Sequence, residues 1–248
     1  MVKGGRRAYL AELAPGSHEL DAETSRYLIS VLRLRTGDDI EFFDGLGAVA
    51  QGKLLTSSKR SATVEIQSPT AMQPLLPQVH LFCAIAKGER TEWLIEKCSE
   101  LATTSISWVI YERSQEHKKD HSKRFERWHK IACEAARQSH NAWIPHLAPP
   151  RPFDEAIEEI TDQSLNIVLD TTALTRPLAS LPLKHDQSVS LFIGPEGGFS
   201  DREREIFKRK HWTAISLGPT VLRIETAAVT GVSAIRNHAS ITLAAGSR

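Results

Sequence analysis

At 248 residues and 41% hydrophobic content, the chain is long enough to bury one large core or two smaller ones. Its 31 basic and 30 acidic residues leave a net charge of +1, so phosphate contacts would have to come from local clusters rather than from a uniformly basic surface. No apolar run has the length of a membrane span, and the start, MVKGGRRAYLAEL, lacks the apolar centre of a secretory signal, so the cytoplasm is the expected location.

From Arg6 to about Ser68 the segments are short and extended, with turn signals between them. AYLAEL comes first, then Gly37-Asp38-Asp39 before IEFF, Asp44-Gly45 and Gly47 after it, and TVEI. A small β-barrel or sandwich fits this pattern. SPTAMQPLLPQ (68–78) carries Pro69, Pro74 and Pro77, which fix φ and remove backbone donors, as linkers allow. The expected division is therefore 1–72 and 73–248.

Beyond the linker, strands alternate with helices. VHLFCAIA is the continuous apolar run of a strand buried on both faces, and TEWLIEKCSEL sets Leu94, Cys98 and Leu101 on one helical stripe. ISWVIY, a helix through RWHKIACEAARQ, LNIVLD, SVSLFI and AISL continue the alternation. A mostly parallel α/β sheet covered by helices follows. Cys83, Cys98 and Cys133 lie far apart without a Cys-x-x-Cys, which reads as buried thiols rather than disulfides or a zinc site.

Ligands in open α/β sheets sit beyond the carboxyl ends of the strands, which directs attention to two loops. GPEGGFS (194–200) runs into a helix whose start is fixed by a capping box, Ser200 with Glu203. LGPTVLRIETAA (217–228) also leads from a strand into a helix. Neither has the Gly-Lys-Ser/Thr or Gly-x-Gly-x-x-Gly of a phosphate loop, and Glu196 would repel a polyphosphate, so a neutral or cationic ligand is favoured. For GPEGG alone, a plain tight turn is the commoner reading.

The two loops together resemble the paired signature of the RsmE-like ribosomal RNA uridine-N3 methyltransferases of the knotted SPOUT superfamily. VLRLRTGDDIEFFDGLG (31–47) is similar to that family's N-terminal motif, KGERTEWLIEKCSEL (87–101) to its first helix of the larger domain, and YERS (111–114) and EAARQS (134–139) to later blocks. The resemblance implies a PUA-like β-barrel followed by a trefoil-knotted α/β domain, a homodimer, and S-adenosylmethionine held by the knot loops. Carried over by residue, Gly194, Pro195, Glu196, Gly197, Gly198, Leu217, Gly218, Leu222 and Arg223 would line the cofactor pocket. Arg223 is the implied catalytic cation, because the uridine anion formed when N3 loses its proton needs stabilising. A purely structural pairing of Arg223 with Glu225 or Glu196 is the competing reading.

Ribosomal RNA, or the small ribosomal subunit, would be the partner. Residues 113–130 carry seven Lys/Arg against three Asp/Glu, and Arg113, Lys118, Lys119, Lys123 and Arg124 are candidates for RNA contact, with Arg6, Arg7, Arg33 and Arg35 from the N-terminal domain. A solvated helix face explains the same charge run. His117 and His121 stand four apart but lack a third ligand, and no metal is expected. Thr220, Asn141, Arg26-Tyr27 and Ala102-Thr103 depart from the family's usual Arg, Arg, His pair and Gly-Val. These departures keep two alternatives open: an RNA-binding or ribosome-assembly protein with the same fold but no methyl transfer, and a methyltransferase for another RNA position.

Overall fold

The computed structural model describes residues 6–58, 61–115, 122–160, 163–173, 181, 183–184 and 186–246. Contacts divide the described residues into two compact units. One runs to Pro74 and includes Cys133–Ile144; the other comprises Leu75–Ala132 and the chain from Pro145 onward.

In the N-terminal unit, six strands form one sheet: β1 (Arg7–Tyr9), β2 (Gly16–Glu19), β3 (Asp39–Phe43), β4 (Ala48–Ser57), β5 (Ala62–Ile66) and β6 (Thr70–Ala71). The order is β1-β3-β4-β5-β2 with β6 on β4, and every pairing is antiparallel except β1 with β3. β1 and β2 do not pair with each other, so among the described residues the hydrogen-bonded ladder stays open. Alternation turns Ile40, Phe42, Ala50, Leu54, Val64 and Ile66 inward onto Leu28 and Leu34. A short helix, α1 (Ala22–Arg26), capped by the Asp21 carboxylate on Thr24 N, leads into a π turn at Tyr27–Val31.

The segment Cys133–Ile144 joins this unit against the expected continuous division, because two glycines make room for it. A side chain at Gly47 would strike the Trp143 ring, and one at Gly45 would strike Ile144. Gly47 N donates to Ala142 O and Ile144 N to Gly45 O.

In the second unit the expected parallel sheet is complete. Its strands are β7 (Val79–Cys83), β8 (Ser105–Ile110), β9 (His146–Pro152), β10 (Leu165–Leu169), β11 (Val189–Ile193) and β12 (Thr213–Ile215), in the order β12-β10-β11-β7-β8-β9, all parallel. β9 holds Pro149, Pro150 and Pro152, which an edge position tolerates because its outer side needs no donors. The helices are α2 (Arg90–Glu100), α3 (Ser122–Gln138), whose residues from Cys133 onward belong to the first unit, α4 (Phe153–Glu158), α5 (Asp201–Arg209) and α6 (Ile224–Gly246). α6 packs on β7 and β11, with Gly231 close against Leu191, while Phe153 and Phe207 from α4 and α5 meet aromatic residues of the opposite face. No described helix is long and apolar enough to cross a membrane.

Candidate functional site

β10 lies between β12 and β11, so the loops after these three strands emerge side by side. Together they enclose a cavity of about 470 Å³. Leu169, Asp170 and Thr171 contribute one wall, Gly194–Phe199 the second, and Ser216, Leu217 and Thr220–Ile224 the third. Of the expected cofactor residues, all but Gly218 line this cavity, and Ser216 Oγ donates to the Gly218 carbonyl at 2.9 Å.

The Gly-rich loop is shaped by long-range bonds. Glu203, fully buried, accepts from Ser200 N at 2.7 Å with one carboxylate oxygen and from Glu112 N at 2.8 Å with the other. Ser200 Oγ accepts from Glu203 N at 3.2 Å, which closes the capping box at the start of α5. One carboxylate thus ties the loop after β8 to the loop after β11. Arg113 adds to this junction, its Nη1 donating to the carbonyls of Gly197 and Phe199 at 3.2 Å each. Phe199 is buried edge-on to Tyr111 and Phe207. A Cβ at Gly194 would come within 3.0 Å of the Phe199 ring, and Gly198 has φ of 68°, so both positions need the smallest residue.

Two of the four charged residues that line the cavity, Asp170 and Arg204, are paired with each other. Asp170 accepts from Arg204 Nε at 2.7 Å and from the Thr172 amide and hydroxyl at 3.0 and 2.9 Å. Burial pushes the Asp170 pKa up, but the bonds from Arg204 and Thr172 outweigh it and hold the carboxyl below its ordinary value. Glu225 faces Arg90 at 3.8 Å, and among the described residues Arg223 has no ion pair. Arg223 is exposed at the rim, where its backbone carbonyl accepts from Ala227 N in the first turn of α6.

The Asp170–Arg204 pair was not found in the sequence. Its available signal was the Asp-Thr-Thr turn after the buried run LNIVL, but the partner stands 34 positions away. Arg113, expected on RNA, is instead engaged with the Gly-loop carbonyls. Arg7, expected there too, is 2% exposed, ion-paired to Glu41 at 2.8 Å and stacked over Phe43, so its charge is withdrawn from solvent. Arg6 pairs with Asp38 at 2.9 Å, while Arg33, Arg35 and Arg124 are exposed. Lys118, Lys119, His117 and His121 lie outside the described residues, as does the side chain of Lys123. Cys83 and Cys98 are buried, with Cys98 pushed up to about 12 by desolvation; Cys133 is only partly buried. No group of three His, Cys, Asp or Glu suited to a metal occurs among the described residues.

A family model described as an RNA methyltransferase domain matches residues 73–236, and one described as an RNA methyltransferase PUA domain matches 20–67. The ribosomal RNA small subunit methyltransferase E of Bacillus subtilis is 30% identical over 90% of this chain and 91% of its own length. The protein of the same name from Synechocystis is 32% identical over 84% of this chain and 69% of its own. A crystal structure of ribosomal RNA small subunit methyltransferase E from Neisseria gonorrhoeae, bound to S-adenosyl methionine, matches with a TM-score of 0.84 at 27% identity, over 94% of this chain and 98% of that one.

Proposed function

Because this chain belongs to the ribosomal RNA small subunit methyltransferase E family, we infer that it methylates small-subunit ribosomal RNA with S-adenosylmethionine, and we propose uridine N3 as the acceptor. The observation that carries this reading is the cavity itself. Its second wall is the glycine-rich run Gly194–Gly198, whose one charged side chain is the acid Glu196; one of its two cations, Arg204, is spent on Asp170, and it has no basic cradle for phosphates. Its volume is that of a small-molecule site. Such a site suits a cofactor that carries a sulfonium and an amino acid rather than a polyphosphate.

The backbone of Gly194–Gly198, with Leu217, Gly218 and Leu222, would hold the cofactor, which when bound supplies an electrophilic methyl carbon. The chain's own contribution is orientation and electrostatics. Glu203 and Arg113 keep the Gly loop from relaxing, so its amides and carbonyls are aimed before binding. Arg223, exposed and without an ion pair among the described residues, is placed to stabilise negative charge on the uridine as N3 gives up its proton. With an uncharged Thr220, Arg223 is the sole cation of its loop, LGPTVLRI.

Residues 1–72 are read as the RNA-binding domain, with Arg33 and Arg35 exposed on it and Arg124 exposed on α3 of the larger domain. The family likeness also supports a cytoplasmic homodimer with the trefoil knot, which light scattering of the purified protein would check in its oligomeric part. Mass spectrometry of small-subunit ribosomal RNA nucleosides, from cells with and without the gene, tests the reaction. Loss of 3-methyluridine supports the reading; an unchanged nucleoside profile overturns it, and loss of another methylated nucleoside moves the acceptor. Calorimetry with S-adenosylmethionine, on the protein and on Gly197→Val, tests the cavity separately. A Cβ at Gly197 already comes within 3.1 Å of Arg113 Cβ, so affinity should fall sharply in the variant.

A further inference from the structure

A parallel sheet covered on both faces is expected to read as apolar along its strands. Near the carboxyl ends this sheet conforms, with Val168, Phe192 and Phe82 adjacent in register. Near the amino ends of the same strands it does not. Register sets Asn166 beside Ser190, Ser190 beside His80, His80 beside Ser105, and Ser105 beside His146. Five polar side chains therefore make an unbroken row across five strands. By the two-residue alternation of strands they share the face that carries Phe82, Ser107 and Ala148 one step further on.

Over this row lies a cavity of about 530 Å³. His80, Ser105, His146 and Ser190 line it together with Phe82 and Ser107, and Arg151, Glu159 and Ile160 enclose its side. It is separate from the site described above: Ser190 stands four residues before Gly194, roughly 13 Å along the strand.

The chemistry of the lining selects the ligand. Arg151 donates to Glu159, which neutralises the cation on this wall. His80 Nδ1 hydrogen-bonds Ser105 Oγ at 2.8 Å, and burial holds the His80 pKa below its usual value, so the ring is neutral at pH 7. A phosphate calls for unpaired cations, which this wall does not offer. The hydroxyls and the imidazole each both donate and accept, and Phe82, stacked on Phe192 at 4.7 Å, supplies an apolar floor. Two buried polar atoms have no hydrogen-bond partner: Arg151 Nε, in a residue that lines the cavity, and Asn166 Oδ1 at the β10 end of the row, in a residue 8% exposed that lies outside the lining. We propose that this cavity binds an uncharged nucleobase, from a free nucleoside or from an unpaired RNA nucleotide, along the row Ser190, His80, Ser105 and His146.

The test follows the imidazole proton resonances of His80 and His146 in the full-length protein, assigned through His80→Gln and His146→Gln. Uridine, adenosine, an unstructured RNA nonamer and inorganic phosphate are titrated separately. Saturable shifts of both rings with a nucleoside support the site and a free-nucleoside source, and saturation by the nonamer alone supports the site and an RNA source. Binding should be at least tenfold weaker in Ser107→Leu, which fills the floor, with the melting temperature reporting the fold. If that variant does not fold, Ser105→Ala, which removes the partner of His80, replaces it. Rings that respond to none of the nucleobase probes, a response to phosphate alone, or undiminished binding in a folded variant would overturn the proposal.

Discussion

Two ends of the parallel sheet are fastened by the same device with opposite charge. Beyond the carboxyl ends of β8 and β11, the buried Glu203 carboxylate gathers the amides of Glu112 and Ser200. At the other end, before β7 and β8, the Arg236 guanidinium of α6 gathers carbonyls: Leu75 at 3.3 Å, Pro77 at 2.6 Å, Leu101 at 3.1 Å, and Ala102. Backbone groups at strand ends have lost their ladder partners, and one ion with several bonds satisfies them better than separate neutral groups would. The two ends differ in what the fastening serves. Glu203 shapes a loop that lines the cavity, whereas Arg236 joins the linker and the end of α2 to α6, and neither it nor its partners line that cavity.

If this contrast holds, Glu203→Ala should be the most damaging single change. It strands the buried amide of Ser200, whose bond to the carboxylate is the Glu203 side-chain half of the α5 capping box, and the part-buried amide of Glu112, at about 1–3 kcal/mol for each unsatisfied group. A loss of about 4 kcal/mol, roughly 10 °C in melting temperature for a chain of this size, is expected by calorimetry. S-adenosylmethionine affinity should fall with it. Arg236→Met should cost somewhat less, about 3 kcal/mol, because the side chain is partly exposed and water can reach some of the carbonyls. Burial lowers the Arg236 pKa only to about 10, so the ion is charged throughout the range in which the enzyme would be assayed. The distinguishing result is cofactor affinity, which Arg236→Met should leave unchanged at temperatures where the protein is folded. Equal loss of affinity in both variants would erase the distinction between the two ends.

Arg223 provides a third outcome, with activity lost and stability kept. Being exposed and without an ion pair among the described residues, it supports no fold contact that Met would remove. Arg223→Met should lower the turnover rate on the order of a hundredfold, about 3 kcal/mol of barrier, with melting temperature and S-adenosylmethionine affinity nearly constant. Partial recovery in Arg223→Lys would show that charge matters more than shape. A drop in cofactor affinity proportional to the rate would make the residue cofactor-holding instead.

How far the sequence carried depended on the range of the interaction. The capping box was legible because Ser200 and Glu203 are three apart, and the Gly loops were legible as a pair. The second bond of Glu203 was not, since Glu112 is 91 positions away and only the parallel register of β8, β7 and β11 brings the two together. Arg7 misled for the same reason: an arginine near a chain start reads as surface until β1 pairs with β3 and sets Glu41 beside it. The polar row under the second cavity is invisible strand by strand, because each strand gives it a single residue. Cys133–Ile144 joined the N-terminal unit through Gly45 and Gly47, whose role in the turn after IEFF was seen but whose open faces were not.

Arg113 tests the Gly-loop end more gently. Both of its acceptors are neutral carbonyls and the side chain is exposed, so Arg113→Gln should cost about 1 kcal/mol, read as a roughly fivefold weaker Kd for S-adenosylmethionine. RNA affinity measured without cofactor should be unchanged. If RNA binding weakens and cofactor binding does not, the residue serves phosphate as the charge pattern first suggested.

The smallest effect is expected at the Arg236 end, and it has the opposite sign. α2 closes in a Schellman arrangement, with Thr103 N donating to Cys98 O and Ala102 N to Ser99 O, both at 3.0 Å. That arrangement needs a left-handed residue after the helix, and Ala102 supplies it with φ of 55°. Glycine would reach the same φ without crowding a Cβ. The strain in an alanine is about 1 kcal/mol, and part of it is offset because glycine has more freedom to lose on folding. Ala102→Gly should therefore raise stability by about 0.5 kcal/mol in denaturant unfolding, with an unchanged m-value and unchanged turnover. The bond from Arg236 to the Ala102 carbonyl is to backbone and should survive the substitution. A gain that persists when Arg236→Met is combined with it would show that cap strain and the guanidinium act independently. A gain that disappears in the double variant would show that Arg236 holds residue 102 in its left-handed conformation, and the end of α2 would then depend on α6 as closely as the Gly loop depends on Glu203.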